Sequence, residues 1–387
     1  MYDMGEKEIE AVRKVIEGKQ LFRYAEGATA KFTAKLEKAL AEKMGTKFAL
    51  ATSSGTGALI SALAGVGVGP GDEVLVPGYT FIATALAPLA VGAVPIITDV
   101  DRTLTLDPED VSRKINRHTK AIIPVHMAGL PCNMQKIMRL ARKHKLAVVE
   151  DAAQAAGGSY GGKRLGATAE VGILSFNHYK IISSGEGGAV VTDSPEIHRR
   201  AMVYHDGGCV FFDDNARNDP GAFFAGLNFR ISEIQSAIMN VQLARLDGIL
   251  KKLRARKKAM LEIFASADGF EPCPSNDIKG DCGTTIPLWF ASAELADRFA
   301  RQYEKRVGLF RPIETDRHVY SNWDPILNQA VHHPHHNPWH WAKRTIKQMP
   351  DCCPATTEIL SRTVCIQTPF GATVAEARKL ARHMKEF

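Results

Sequence analysis

Apolar residues recur at helical spacing at the start of the chain, then gather into short solid runs after residue 48. In residues 5–17, Ile9, Val12, Val15 and Ile16 fall on one helical face, and Gly18 follows as a stop. A second amphipathic helix is predicted over 29–44, with Phe32, Leu36, Leu40 and Met44 in register. The apolar runs that follow are 48–51, 73–76, 94–98, 121–125, 147–150, 171–176 and 188–192. Helical patterns at 55–66, 80–91, 108–115 and 133–144 separate most of them. Runs that are apolar throughout, with helices between them, indicate strands buried on both faces of a mostly parallel sheet. The last pair is joined by too few residues for a helical crossover, so one of those strands is antiparallel. A long helical pattern covers 230–266. Beyond it, 285–290 and 363–367 read as strands, and 292–306 and 373–386 as helices. The expected fold class is α/β: a mostly parallel seven-stranded sheet in a large domain, residues 1–250, with a smaller α+β domain, residues 251–387, and the boundary inside the long helix.

Composition changes this picture little. The chain has 387 residues, 45% apolar and 24% charged, which is ordinary for a soluble globular protein. Its net charge is +7, and the one dense basic run is Lys251-Lys-Leu-Arg-Ala-Arg-Lys-Lys258. That run reads as a solvated helix face, with a nucleic-acid patch as the alternative. The cysteines (Cys132, Cys209, Cys273, Cys282, Cys352, Cys353 and Cys365) are odd in number and include no Cys-x-x-Cys. Neither a disulfide framework nor a zinc site is expected, and the compartment expected is a reducing cytoplasm. The first ten residues lack the apolar core of a signal peptide, and no stretch approaches a membrane-spanning length. Neither nucleic acid nor membrane is therefore expected as a partner. The histidine-rich tract 331–341 contains two prolines and reads as a surface or active-site-rim loop without a metal.

The candidate chemistry lies at the ends of the predicted strands. Ser53-Ser-Gly-Thr-Gly-Ala58 follows a strand and opens a helix, a place where free N–H groups and the helix dipole hold phosphate. It also reads as a plain N-cap. Pro77-Gly-Tyr-Thr-Phe-Ile82 offers Tyr79 or Phe81 to a flat ring, or to the core. Asp151 ends a buried strand, where open α/β sheets bind ligands. A carboxylate there needs a partner, such as a protonated heterocyclic nitrogen, unless it only caps the next helix. Lys180 sits in a glycine-flanked loop between two buried strands, where a lysine of lowered pKa is a usable nucleophile and base. Phosphate cradle, ring stacker, carboxylate and lysine, in that order, describe a pyridoxal phosphate site.

The ordered set Ser54-Gly-Thr56, Gly69-Pro-Gly-Asp-Glu-Val74, Thr80-Phe81, Gly92-Ala-Val-Pro95, Pro124-Val-His126, Glu150-Asp-Ala-Ala-Gln154, Ser175-Phe-x-x-x-Lys180, Gly185-Glu-Gly-Gly188 and Gly226-Leu-Asn-Phe-Arg230 resembles the DegT/DnrJ/EryC1/StrS sugar aminotransferases, of the aspartate-aminotransferase (fold type I) class. The resemblance implies pyridoxal 5′-phosphate as cofactor and Lys180 as the residue that binds its aldehyde as an imine. It implies Asp151 at the pyridine nitrogen, Gln154 at the ring hydroxyl, Phe81 stacked on the ring, and Gly55, Thr56 and Ser175 on the phosphate. His126 would lie near the cofactor. Asn228 would reach the phosphate of a neighbouring subunit, which implies a homodimer with shared sites. One branch of the family carries histidine in place of the lysine and removes a hydroxyl; Lys180 favours transamination over that dehydration. Leu21-Phe-Arg-Tyr24, Val319-Tyr-Ser-Asn-Trp323 and Leu360-Ser-Arg-Thr363 are similar to the branch that forms 8-amino-3,8-dideoxy-octulosonate. On that likeness Arg23, Arg311 and Tyr320 are candidates for the acceptor, and the acceptor is a keto sugar, nucleotide-linked or a free sugar acid. Arg23 and Arg311 read more readily as surface ion-paired residues. The amino donor implied is glutamate or glutamine.

Overall fold

The structure, a computed structural model, describes residues 3–24, 31–208 and 223–387. Cys209 and the first two residues of the predicted 29–44 helix lie outside them. Helices α1 (Glu6–Glu17) and α2 (Phe32–Met44) precede the sheet. The alternation then runs β1 (Phe48–Thr52), α3 (Gly55–Gly65), β2 (Glu73–Pro77), α4 (Ala83–Ala90), β3 (Val94–Thr98), α5 (Pro108–Lys114), β4 (Thr119–Ile122), α6 (Met134–His144) and β5 (Ala147–Asp151). A short ribbon, β6 (Ser159–Tyr160) with β7 (Lys163–Arg164), leads to β8 (Val171–Ser175), β9 (Gly188–Thr192), α7 (Pro195–His205) and the long α8 (Glu233–Phe264).

The sheet order is β1-β9-β8-β5-β4-β2-β3. Strands β3, β2, β4, β5 and β8 pair in parallel, and β9 runs antiparallel to both β8 and β1. This is the expected mostly parallel seven-stranded sheet, with its antiparallel strand after the short 176–187 connection. Alternate strand residues serve opposite faces. Leu50, Ile173 and Val190 pack with α3, while Ala51, Leu174 and Val191 pack with α2 and α8.

Both sheet edges are closed by side chains that imitate a neighbouring strand, a protection that unpaired edges require. At β1, the Ala51 N–H donates to Glu37 Oε1 at 2.9 Å, and Arg23 Nη1 donates to the Ala51 carbonyl at 3.3 Å. At β3, Gln348 accepts from Ile97 N–H at 2.8 Å and donates to the Pro95 carbonyl at 2.9 Å. Arg23 and Glu37 also pair with each other at 2.8 Å, with the Arg23 side chain 7% exposed. Arg23→Met should therefore lower the unfolding free energy by about 3–5 kcal/mol, because it leaves Glu37 buried without its counter-charge. Urea denaturation checks this, and a loss under about 1 kcal/mol, the size of an exposed pair, would contradict it.

The first helix forms as predicted, but only part of its expected apolar face turns inward. Ala11 and Val15 are buried, whereas Ile9 and Ile16 are each 54% exposed. Glu8 is the buried anchor, bonded to Gln242 and Arg245 of α8. Helix α4 starts at Ala83 rather than Thr80, because Thr80 N–H and Ile82 N–H donate to the carbonyls of His318 and Arg317.

Past α8 come β10 (Glu271–Pro272), β11 (Thr285–Trp289), α9 (Ala293–Tyr303), β12 (Leu309–Phe310), α10 (Asp324–Leu327), α11 (Pro338–Trp341), α12 (Pro354–Ser361), β13 (Thr363–Gln367) and α13 (Val374–Lys385). The second sheet is antiparallel, order β10-β11-β13-β12, over a core of Phe264, Phe270, Phe290 and Phe299. Tyr320, Trp323, Ile326, Trp339, Ile346 and Cys353, which a boundary at residue 250 assigns to the smaller lobe, pack in the core of the large sheet. The basic run is not a solvated face throughout. Arg254 and Arg256 donate to the carbonyls of Asp281 and Ala372, and Lys257 pairs with Asp281. His332, His333, His335 and His336 are exposed. Among the described residues no helix is long and apolar enough to cross a membrane, and no cluster of His, Cys, Asp or Glu is placed to hold a metal.

Candidate active site

Strands β1, β2, β5 and β8 point the same way, and their C-terminal ends deliver Gly55, Phe81, Asp151 and Lys180 to one cavity of about 560 Å³. This is where open α/β sheets bind ligands. Thr56, Gln154 and Ser175 line it too.

The cradle is built by close approach. A Cβ on Gly55 would fall 2.8 Å from Ser175 Cβ, so only glycine lets the start of α3 lie against the end of β8. Ser54 caps the helix by accepting from Gly57 N–H. The first-turn N–H groups of Gly55 and Thr56 have no partner within the helix and face anionic ligands with the positive end of the dipole.

Asp151 is 3% exposed; its Oδ1 accepts from Ala153 N–H and its Oδ2 from the Thr84 hydroxyl, both at 3.0 Å. Burial pushes its pKa up, against those two hydrogen bonds and the positive charge of Lys180. Burial also pushes Lys180 down, opposed by Asp151 and Glu186. Glu186, for which the sequence offered no role, accepts from Asn177 Nδ2 at 2.7 Å on the cavity rim. Gln154 Oε1 accepts from Ala128 N–H at 3.0 Å, which leaves its amide NH₂ to face the cavity. Phe81 lines the cavity as a partly exposed ring, 39% accessible, while Tyr79 is buried and outside the lining.

His126 lies outside the cavity lining, fully buried. Its Nδ1 accepts from Cys132 N–H at 3.0 Å, so its proton sits on Nε2, 2.8 Å from Glu150 Oε1. Glu150 also accepts from Gly166, Thr168 and Ala169 N–H groups. Burial raises its pKa, but the hydrogen bond from His126, and after it that from Gly166, outweigh it and hold the carboxylate below its usual range. His126 N–H donates to the Asp151 carbonyl and Asp151 N–H to that of Pro124, so this buried network positions Asp151 from behind.

The acceptor candidates do not line the cavity. Arg23 is committed to Glu37, as above. Arg311, 12% exposed, pairs with Asp297 and Glu314 and donates to the Ser361 carbonyl. A buried guanidinium needs such partners, and both arginines find them in the fold. Tyr320 is fully buried; its N–H donates to the Gly78 carbonyl and its hydroxyl accepts from Cys353 N–H, so it braces the loop carrying Phe81. Asn228 is exposed, outside the lining, and its Oδ1 accepts from Arg230 N–H. The lining includes Thr84, Thr284, Thr285, Phe310, His318 and Gln367, none of which stood out in the sequence. His318 lies with its ring 5.4 Å from that of Phe81, and burial and then Lys180 push its pKa down. A lone histidine one residue before an apolar pair carried no local signal.

These residues fit pyridoxal 5′-phosphate. A buried carboxylate whose charge is costly when alone matches a protonated ring nitrogen. The glycine cradle matches a phosphate, Phe81 a planar ring, and Lys180, held in a partly dry site, an aldehyde.

Comparison with known proteins agrees. GDP-perosamine synthase of Caulobacter vibrioides is 39% identical over 236 residues, 60% of this chain and 61% of that protein. The L-glutamine:2-deoxy-scyllo-inosose aminotransferase of Streptomyces lividus is 38% identical over 246 residues, 62% of this chain and 57% of that one. The chain thus spans about three fifths of the length of these curated relatives. The crystal structure of a 3-amino-5-hydroxybenzoic acid synthase superposes with a TM-score of 0.81 at 28% identity, covering 100% of this chain and 97% of that one. Residues 2–378 match the model of one family, and on that match the chain belongs to the DegT/DnrJ/EryC1/StrS aminotransferase family.

Proposed function

We propose that this protein is a pyridoxal-phosphate-dependent aminotransferase that moves an amino group from an amino acid to the ketone of a sugar. The observation that carries the reading is the meeting of Lys180, Asp151 and the Gly55 helix start in one cavity. When bound, pyridoxal phosphate supplies the electron sink and the carbon that carries the amino group between substrates. Gly55, Thr56 and Ser175 bind its phosphate, Phe81 covers its ring, and Gln154 donates to its ring oxygen. Asp151 keeps its ring nitrogen protonated. Lys180 Nζ takes the proton from the donor α-carbon and, in the second half-reaction, returns one to the sugar carbon that becomes the amine carbon. A lowered pKa leaves more of Lys180 neutral, and so able to act as that base, near neutral pH.

The acceptor we infer is an uncharged keto-polyol ring, on a nucleotide carrier, rather than a free octulosonate-type acid. Its support is the part of the lining made by Thr284, Thr285, Phe310, His318 and Gln367, which offers hydroxyls, an amide and two rings. Among the described residues no arginine lines the cavity, and Arg23 and Arg311 are spent elsewhere. Glutamine or glutamate is the donor proposed; the Streptomyces lividus relative has glutamine in its name. We further propose a homodimer in which exposed Asn228 reaches the neighbouring site, and a cytoplasmic location, which the unpaired described cysteines suit.

The test is incubation with glutamine or glutamate and nucleotide-linked keto sugars, followed by mass spectrometry. The expected result is aminated sugar and 2-oxo acid in equal amounts. Sugar consumed without 2-oxo acid would mean dehydration or another elimination instead.

A further inference from the structure

We propose that the buried ion pair Lys257–Asp281 is a positioning device for the cavity: it fixes the 281–285 turn, whose Thr284 locks the left-handed residue Ala128 and, through Ala128, the Gln154 amide. The consequence for cofactor binding rests on the functional reading above; the relay itself stands on geometry.

Lys257 Nζ lies 2.5 Å from Asp281 Oδ2 and donates to the Thr285 carbonyl at 2.6 Å. The two side chains are 6% and 2% exposed. A buried pair adds little net stability over an apolar one of the same shape, and its best-attested use is to select one arrangement of the chain. Here the arrangement selected is a turn. Asp281 Oδ1 accepts from Gly283 N–H, and Gly283, at φ +77°, is seated so closely on α8 that a Cβ there would fall 2.6 Å from the Arg254 nitrogen. The turn then reaches across to the large domain. The Thr284 hydroxyl donates to the Ala128 carbonyl at 2.7 Å, and Cys282 N–H donates to that of Gly129 at 3.1 Å.

Ala128 is a non-glycine residue at φ +54°, ψ +26°, a conformation it keeps only where the surroundings hold it. Both of its backbone groups are held by side chains: its N–H by Gln154 Oε1 and its carbonyl by Thr284. Removing the Thr284 hydroxyl lets Ala128 relax, withdraws its N–H from Gln154, and frees the amide that faces the cofactor ring. Lys257, a member of the basic run that the catalytic chemistry leaves unused, thus acts on the site without touching it.

The test compares wild type with Thr284→Val, Thr284→Ser, Lys257→Met and the Thr284→Val/Lys257→Met double variant. Hydrogen exchange of residues 126–132 is followed in the cofactor-free protein, and the Kd for pyridoxal phosphate is measured by equilibrium dialysis. We expect exchange over 126–132 to quicken about tenfold in Thr284→Val and in Lys257→Met, with the cofactor Kd rising in parallel. Thr284→Ser should exchange like wild type, and the double variant no faster than the quicker single one, as for residues acting in one chain. Fully additive single effects, or wild-type exchange in Thr284→Val, would overturn the relay. So would a Lys257→Met protein that is merely less heat-stable, with exchange over 126–132 unchanged. If Lys257→Met does not fold, Asp281→Asn takes its place in every comparison. Exchange needs no cofactor, so a wild-type protein that fails to bind pyridoxal phosphate counts against the functional reading, and the relay is still judged on exchange.

Discussion

Lys180→Ala should lower turnover by about 10⁴-fold or more, with the fold intact. In the proposed mechanism the residue supplies both the group that holds the cofactor aldehyde and the base that moves the proton, and general acid–base catalysis alone accounts for about 10²–10⁴-fold. Lys180→Arg should be nearly as inactive. It restores a cation beside Asp151, but a guanidinium stays protonated and is neither nucleophile nor base at neutral pH. Because burial works against a charge on Lys180, its loss should leave the unfolding midpoint of the cofactor-free protein unchanged or slightly raised. Stopped-flow assay of each half-reaction, beside thermal unfolding, checks both statements. A Lys180→Ala enzyme within tenfold of wild type would remove Lys180 from the mechanism.

Asp151→Asn should cost about 10²–10³-fold in turnover, the usual loss when one preorganised electrostatic partner is removed. The amide can still accept from Ala153 N–H, but it has no charge to keep a ring nitrogen protonated. The same change should not destabilise the cofactor-free protein. Asp151 has a raised pKa there, chiefly from burial. Between the unfolded value near 3.8 and its folded pKa, the native state binds more protons than the unfolded one, so stability falls as pH rises through that window. Asp151→Asn should flatten that slope and lift the cofactor-free midpoint at neutral pH by a few degrees, as expected where a site gives up stability for function. With cofactor bound, the order should invert. Scanning calorimetry of both forms across pH reads this; a cofactor-free Asp151→Asn protein with the wild-type slope would show that the carboxylate carries no burial cost.

That the residues proposed for the cofactor meet in one cavity was legible in the sequence because each of them is announced locally. Asp151, Ser175 and Lys180 follow solid apolar runs, and Gly55 opens a helix directly after another. Strand ends then become cavity walls by topology alone. The rest of the lining was not legible, since its residues are chosen by distant contacts. Arg23 read as a candidate for a carboxylate or as an ion-paired residue, and the partner that decides this, Glu37, sits 14 residues away on the next helix. The face of α1 was read only in part: Val15 is buried as expected, but Glu8 is fixed by Arg245, 237 residues further on. Thr84 reaches Asp151 across 67 residues, and Thr284 reaches Ala128 across 156. Nothing near any of these positions in the sequence distinguishes them from ordinary polar residues. The segment around Tyr320 misled differently: its pattern was read as recognition, whereas the structure uses it to brace the Phe81 loop against the large sheet.

The most direct test is borohydride reduction of the protein loaded with pyridoxal phosphate, followed by peptide mapping. We expect one covalent cofactor label, on Lys180, and its disappearance when the protein first meets glutamine or glutamate, because the amino group of the donor then takes the place of Lys180. A label on another lysine, or one on Lys180 that no amino donor removes, would contradict the assignment of this cavity as an aminotransferase site.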